Sequence, residues 1–284
     1  MNDPSTTVSI IIPCFNDGKY LAEALTSAQT QTYPDLEIII VDDHSTDTFT
    51  CAVLQELTEH GHNVLSLPDG KKGPSAARNL GITAAKGAFI LPLDADDRIE
   101  PTYAEKAVAH MRLNPAIGIC YCKARRFGLK HGPWRFRPYS WDDMLAGNMI
   151  FSAAMFRKKD WEVLGGYDEA LLTGLEDYAF WINLIALGRE VVRIDEELFW
   201  YRVKSGSRTA RIEQSGQEQQ VIEDVFRSCE PVIRQNAWPL FKRLHSLSRE
   251  KSNRTCLVSW KLLSPIMALE RKMRQLVKKF LGIT

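Results

Sequence analysis

Residues Ala88-Phe89-Ile90-Leu91-Pro92-Leu93-Asp94-Ala95-Asp96-Asp97 set an unbroken apolar run against a sudden cluster of carboxylates. A short apolar run bounded by turn signals reads as a buried strand, and Gly87 before it reads as the end of a preceding helix. Toward the N-terminus the same alternation repeats. Val8–Ile12, Leu36–Val41 and Val64–Leu67 are β-rich runs; between them Leu21, Ala24, Leu25 and Ala28, then Val53, Leu54 and Leu57, recur at helical spacing. Gly73-Pro74-Ser75 opens a third helix, with Pro74 near its first turn, where a missing N–H is no loss. This βαβαβαβ rhythm predicts a parallel sheet flanked by helices on both faces. Such sheets bind ligands beyond the carboxyl ends of their strands, so polar residues there are the site candidates.

Toward the C-terminus the pattern loosens. Pro101–Asn114 and Tyr178–Leu187 read as helices, and Gly118–Tyr121, Ile150–Phe156, Val191–Ile194 and Phe199–Val203 as strands. Arg125–Tyr139, rich in Arg, aromatics, Gly and Pro, reads as a loop. Past residue 210 the chain turns helical and charged, which divides it into an α/β domain over residues 1–210 and a helical extension over 211–284. In that extension Leu262, Leu263, Ile266, Leu269, Met273, Leu276, Val277 and Phe280 form an apolar stripe at spacing 3–4.

Composition narrows the function. The 284 residues are 45% hydrophobic and 25% charged, as in an ordinary globular chain. The formal net charge of +1 conceals a split: residues 1–100 carry a net −9 and residues 251–284 a net +7. An acidic first third argues against nucleic acid as partner and suits a site that holds a cation. The six cysteines have no metal-ligand spacing, Cys14 and Cys120 lie in apolar runs, and a reducing compartment is expected. The first twenty residues lack a signal-peptide pattern, and no apolar stretch is long enough for a spanning helix.

Three acidic groups carry the chemistry. Asp42-Asp43 ends the second strand; a carboxylate there can accept the N–H of a base such as uracil, or can cap the next helix with Ser45 or Asp47. Asp94 and Asp96 follow the fourth strand with i, i+2 spacing, which in an extended loop sends both side chains the same way. Two carboxylates so placed can hold a hard divalent ion that neutralises a departing diphosphate; the alternative is a solvated turn. Glu176-Asp177 precedes a helix, where a carboxylate can act as general base or simply cap. Arg78 on the third helix, and Arg202, Lys204 and Arg208 around Ser205-Gly206-Ser207, are candidate phosphate contacts.

Taken in order, these groups resemble the inverting family 2 glycosyltransferases with the GT-A fold. The resemblance covers roughly residues 8–208. It rests on Val8–Asn16, Ser27–Pro34, Ile40–Asp47, Gly73–Asn79, the Asp94-Ala95-Asp96 motif, Gly165–Glu169, Glu176-Asp177 with Trp181, and Tyr201-Arg202. It implies a Rossmann-like, mixed but mainly parallel sheet flanked by helices, with a nucleotide-sugar half over residues 1–100 and an acceptor half over 101–210. It implies that Pro13 and Phe15 line the nucleobase and ribose, Asp43 binds the base, Arg78 approaches the nucleotide and Asp94 binds ribose. It further implies that Asp96 binds Mn²⁺ or Mg²⁺, that Asp177 is the general base, and that Glu176 beside it orients or binds acceptor. Two positions depart from the family pattern: Lys204 stands where the family often has His, and Asn183 where it often has Arg. Protonated lysine cannot ligate a metal, so Lys204 is expected on the diphosphate.

The implied partners are a nucleotide-sugar donor, UDP-sugar first, and a glycan or lipid-linked glycan acceptor in surface polysaccharide or glycolipid assembly. The expected location is cytoplasmic, with peripheral contact at the inner membrane face through the basic C-terminal helix as one option; packing of that helix on the catalytic domain or in a homo-oligomer is the other. A nucleotidyltransferase, the main rival, needs a Gly-rich basic loop after its first strand, and Pro13-Cys14-Phe15-Asn16-Asp17-Gly18 suits that poorly. A binding module without turnover, the second rival, leaves the intact acidic groups unexplained.

Overall fold

A computed structural model describes residues 6–172, 174–207 and 216–253. The chain runs β1 (Val8–Cys14), α1 (Gly18–Gln29), β2 (Leu36–Asp42), α2 (Thr48–Glu59), β3 (Val64–Ser66), α3 (Pro74–Ala84), β4 (Phe89–Pro92) and β5 (Arg98–Ile99). It continues with α4 (Tyr103–Leu113), β6 (Ile117–Gly128), β7 (Gly132–Trp134), α5 (Trp141–Ala146), β8 (Met155–Arg157), α6 (Lys158–Leu164), α7 (Glu176–Ala186) and β9 (Glu190–Val203). Three helices follow: α8 (Glu218–Ser228), α9 (Glu230–Gln235) and α10 (Ala237–Asn253).

Nine strands among the described residues form one mixed sheet in the order β3-β2-β1-β4-β8-β6-β9-β5, with β7 on β6. The first four pair in parallel, as the alternating apolar runs predict. β1 lies at the centre of this half, and Ile10, Ile11 and Ile12 are fully buried, at about 1.5–3 kcal/mol per side chain removed from water. Helix α3 packs against β1 so tightly that a Cβ on Gly81 would sit 2.5 Å from Ile11 Cγ2. β8 then enters antiparallel between β4 and β6, and β6 pairs in parallel with β9.

The second half differs from the sequence reading in several places. Arg125–Tyr139 is not all loop: β6 extends to Gly128 and turns back through β7 as a hairpin, pairing Arg126 with Gly132 and Ala124 with Trp134. The two strands expected over 191–203 are one strand, β9, whose ladder with β6 skips Asp195 and Glu196 at a bulge. The strand expected over 150–156 shrinks to Met155–Arg157. Gly87 does not end α3, which stops at Ala84. Its place is instead a close approach, where a Cβ would meet Ser9 Oγ at 2.5 Å.

The later helices pack on this sheet domain. Asn183 on α7 donates to Ser228 O at 3.3 Å, Trp141 Nε1 donates to Asn236 Oδ1 at 3.1 Å, and Arg243 pairs with Asp143 at 2.5 Å. Val221, Val225, Ile233, Leu240 and Leu244 are buried beneath them. The stripe from Leu262 to Phe280 lies outside the described residues, and no described helix is long and apolar enough to cross a membrane.

Candidate active site

Parallel pairing puts the ends of β1, β2 and β4 on one edge of the sheet. Cys14 lies opposite Asp42, Asp43 N donates to Cys14 O at 2.8 Å, and Leu93 N donates to Ile11 O at 2.9 Å. The Asp42-Asp43 and Asp94–Asp97 groups therefore share one rim. Pro13 is half-buried there and Phe15 is exposed. Asn16, at φ 54°, clamps the neighbouring tip: its Oδ1 accepts from Thr46 N at 2.7 Å and Asp47 N at 3.0 Å.

The two aspartates after β2 have different tasks. Asp42 Oδ1 accepts from Ser45 N at 3.0 Å, closing the turn into α2. Both oxygens of Asp43 accept from Gly73 N at 2.9 Å. Gly73 has φ 89°, which favours glycine, and begins α3. Asp43 thus ties the second strand tip to the helix that carries Arg78. The helix-capping role considered for this region falls to Asp47, whose carboxylate accepts from Thr50 N and is held below the usual range by the Thr50 side chain first and then that backbone N–H.

Arg78 reaches the site from beneath. It is 1% exposed; its Nη2 donates to Asp94 Oδ1 and its Nη1 to Glu176 Oε1, both at 2.7 Å. Burial works against this charge, yet the two carboxylates overcome it and hold the guanidinium firmly protonated. Ser152 Oγ completes Asp94 from the other side, donating to Oδ2 at 3.2 Å. The Arg78 guanidinium, expected near a nucleotide, pairs with one partly exposed and one buried carboxylate and so links the motif after β4 to the Glu-Asp motif.

The segment after β4 is a turn, not the extended loop expected: Asp97 N donates to Asp94 O at 3.0 Å. Asp94 still lies close enough to Asp96 for its charge to act there. Burial raises the Asp96 carboxyl, Lys204 lowers it and Asp94 raises it again. Asp97 is buried and pushed well up, by burial first and then by Asp96 and Asp94; its Oδ1 accepts from Arg202 N at 2.7 Å. The turn is thereby anchored to the end of β9. Arg202 is also fixed through Asp96 O at 2.7 Å and Glu23. Lys204 Nζ lies 3.0 Å from Asp96 Oδ2 and pairs with Asp17 as well. Arg208 lies outside the described residues.

Asp177 is half-buried at the first turn of α7. Its Oδ1 accepts from Tyr178 N at 2.7 Å, and Asn148 Nδ2 approaches Oδ2 at 3.5 Å. Leu175 just before it holds φ 60°, ψ 24°, a left-handed conformation rare for a branched side chain. Asp17, Ser152 and Asn148 join the site without having been singled out in the sequence. Asp17 follows the first strand tip and was locatable on that ground; Ser152 and Asn148 arrive through the fold alone.

Among the described residues no group of three or more His, Cys, Asp or Glu side chains is placed to hold a metal ion. One carboxylate beside the turn, Asp96, faces Lys204 Nζ at 3.0 Å. Such a donor set fits a hard ion that completes its coordination with water and the phosphates of a ligand, rather than a self-sufficient centre.

The family model Glycosyl transferase family 2 matches residues 9–171. A chondroitin synthase from Escherichia coli is 29% identical over 185 residues, which cover 64% of this chain and 27% of the synthase. The chain thus spans about a quarter of that relative's length. Among solved structures, residues 1–349 of S. aureus TarS with UDP-GlcNAc superpose with a TM-score of 0.62 at 18% identity, covering 93% of this chain and 79% of that one. A mannosyltransferase from Pyrobaculum calidifontis with GDP-Man and Mn²⁺ superposes with a TM-score of 0.60 at 20% identity, covering 97% and 82%. These likenesses show a shared fold.

Proposed function

The chain belongs to glycosyl transferase family 2, and from that membership we propose that it moves a sugar, with inversion, from a nucleotide-sugar to an acceptor hydroxyl. One observation carries this reading: Arg78 joins Asp94, on the rim where a donor would lie, to Glu176, the neighbour of Asp177. Donor and acceptor machinery thus share one buried cation.

Asp177 takes the proton from the acceptor hydroxyl as its oxygen attacks the anomeric carbon. The bond from that carbon to the diphosphate breaks in the same step, and the nucleoside diphosphate leaves. Position is what makes Asp177 effective, since the start of α7 favours its ionised form and tempers its basicity. Glu176 orients this end through Arg78. The Asp43 carboxylate, an acceptor with several lone-pair sites, takes a base N–H in this reading, and Phe15 and Pro13 border the same rim. Asp94 faces the ribose, and Lys204, Arg202 and Arg208 serve the phosphates.

A divalent cation, Mn²⁺ or Mg²⁺, would be held by Asp96 and would neutralise charge developing on the departing diphosphate. UDP is the first choice of nucleotide, in keeping with UDP-GlcNAc on the TarS neighbour; GDP-Man on the mannosyltransferase makes GDP the alternative. Residues 1–210 form the catalytic unit in this reading and 211–284 its extension, with contact to the inner membrane face or a second copy assigned to the latter. The acceptor belongs to the glycan or lipid-linked glycan class, in the manner of polysaccharide synthesis. A thermal-shift screen of nucleotide-sugars with and without Mn²⁺, followed by product analysis, tests the proposal. Release of nucleoside diphosphate supports transfer; release of pyrophosphate would replace it with nucleotidyl transfer.

A further inference from the structure

Lys204 follows directly on β9, whose end is anchored to the acidic turn by Arg202 N on Asp97 Oδ1 at 2.7 Å. That anchor sets residue 204 beside residue 96. The Lys204 ammonium bridges two carboxylates from different elements, Asp96 Oδ2 at 3.0 Å and Asp17 at the start of α1. All three side chains are largely enclosed, at 19% exposed for Lys204, 17% for Asp96 and 25% for Asp17. The Tyr20 ring adds a cation–π contact, 5.2 Å from Nζ.

We propose that Lys204 is a resident counter-ion on Asp96, so that a divalent cation gains this carboxylate only when a nucleoside diphosphate draws the ammonium away. The proposal rests on the reading of Asp96 as the ion's protein ligand.

Three features support the exchange. First, a cation already lies against Asp96, and a divalent ion arriving alone must displace it while gaining few other protein oxygens. Second, Lys204 is the movable cation of the pair beside this turn. Arg202 is held by Glu23, Asp96 O and the faces of Tyr20 and Phe127, at 4.4 and 4.2 Å, whereas a lysine ammonium rides a flexible four-carbon stem. Third, a diphosphate offers Lys204 several charged oxygens, against one oxygen from each of the two carboxylates it bridges. Metal and nucleotide binding are then coupled, and linkage makes the coupling reciprocal: whatever factor the nucleotide adds to metal affinity, the metal adds to nucleotide affinity.

The test is a Mn²⁺ titration of the full chain, followed by electron paramagnetic resonance of the free ion, with no nucleotide, with UDP and with GDP. Wild type, Lys204→Gln and Lys204→His are compared, and thermal unfolding without ligand checks that each folds. Wild type should bind Mn²⁺ weakly alone and at least about tenfold more tightly with its nucleotide. Lys204→Gln should bind Mn²⁺ about tenfold more tightly than wild type without nucleotide, and the enhancement by nucleotide should shrink correspondingly. Lys204→His, which supplies an imidazole ligand, should bind tighter still, and it carries the same comparison if Lys204→Gln does not fold. Unchanged nucleotide-free Mn²⁺ affinity in the variants, with nucleotide enhancement intact, would overturn the counter-ion role and leave the Asp96 reading standing. No enhancement by UDP or GDP in any protein would instead remove the Asp96 reading, and the present inference with it.

Discussion

Arg78 and Glu176 lie 98 residues apart in the chain and 2.7 Å apart in the fold, each with 2% of its side chain exposed. Removing one partner of a buried pair leaves the other charged and unsolvated, which costs about 3–5 kcal/mol. Arg78→Ala should lose that much in urea unfolding. The double variant Arg78→Met with Glu176→Gln should lose distinctly less, because it leaves no lone charge at that contact. A loss under about 1 kcal/mol in the single variant would mean that the pair behaves like a surface salt bridge.

Asp43 serves two masters, a base N–H in the proposed reaction and Gly73 N in the fold. Asp43→Ala should weaken nucleotide affinity by calorimetry and should also lower stability by about 1.5–3 kcal/mol, the usual worth of a hydrogen bond to a charged group. Asp43→Asn keeps an acceptor for Gly73 N and should recover most of the stability without the full nucleotide affinity. Equal stability for Asp43→Ala and wild type would show that the link to α3 carries nothing.

How far the sequence revealed this molecule follows from the range of the interactions. Val8–Ile12, most of β1, was legible because a parallel strand buried on both faces must be largely apolar. The break read between Ile194 and Phe199 was also real, but it marks a bulge at Asp195 and Glu196 inside one strand. The β6–β7 hairpin was hidden because its Gly, Pro and Arg content imitates a loop, and its support comes from β9 some 70 residues later. At the site, the aspartates at strand ends were found from position alone. What each one touches was not legible: Arg78 to Glu176 and Lys204 to Asp17 depend on how distant segments are brought together.

The thiols should report the packing directly. Burial pushes Cys14, Cys120 and Cys229 up to about 12, and Cys122 upward as well. Thiolate is the reactive form, so at pH 8 these four remain protonated and shielded. Cys51 is exposed. In a Cys256→Ser background, since Cys256 lies outside the described residues, a thiol reagent should find one fast-reacting group at pH 8, and Cys51→Ser should abolish it. The remaining four should appear only on unfolding. A second fast thiol in the native protein would contradict the packing of β1, β6 or α8.

Asp177→Asn separates chemistry from binding. The asparagine keeps the shape and can still accept from Tyr178 N, as Asp177 Oδ1 does at 2.7 Å, but it cannot take a proton. Turnover should fall by about 10²–10⁴, the usual contribution of a placed general base. Affinity for the nucleoside diphosphate should change little, because in the proposed reaction Asp177 serves the acceptor. Normal release of nucleoside diphosphate by this variant would move the base to another residue.

Leu175 immediately precedes the Glu176-Asp177 pair in a left-handed conformation, φ 60°, ψ 24°, and its side chain is 37% exposed. That conformation costs a residue with a Cβ roughly 1–2 kcal/mol, and the partial burial of Leu175 offsets part of it. Strain of this kind beside reactive groups is consistent with a backbone held in place by the first turn of α7 and the fit of Glu176 on Arg78. Leu175→Gly removes the strain but frees the hinge before the two carboxylates. The variant should therefore stay within about 1 kcal/mol of wild type, since glycine's greater chain entropy and the lost partial burial offset the strain relieved. Its turnover should nevertheless drop, with nucleotide affinity preserved. A variant that is clearly destabilised would show that Leu175 packs for stability; one with full turnover would show that the rigid entry to α7 is not needed to position Asp177.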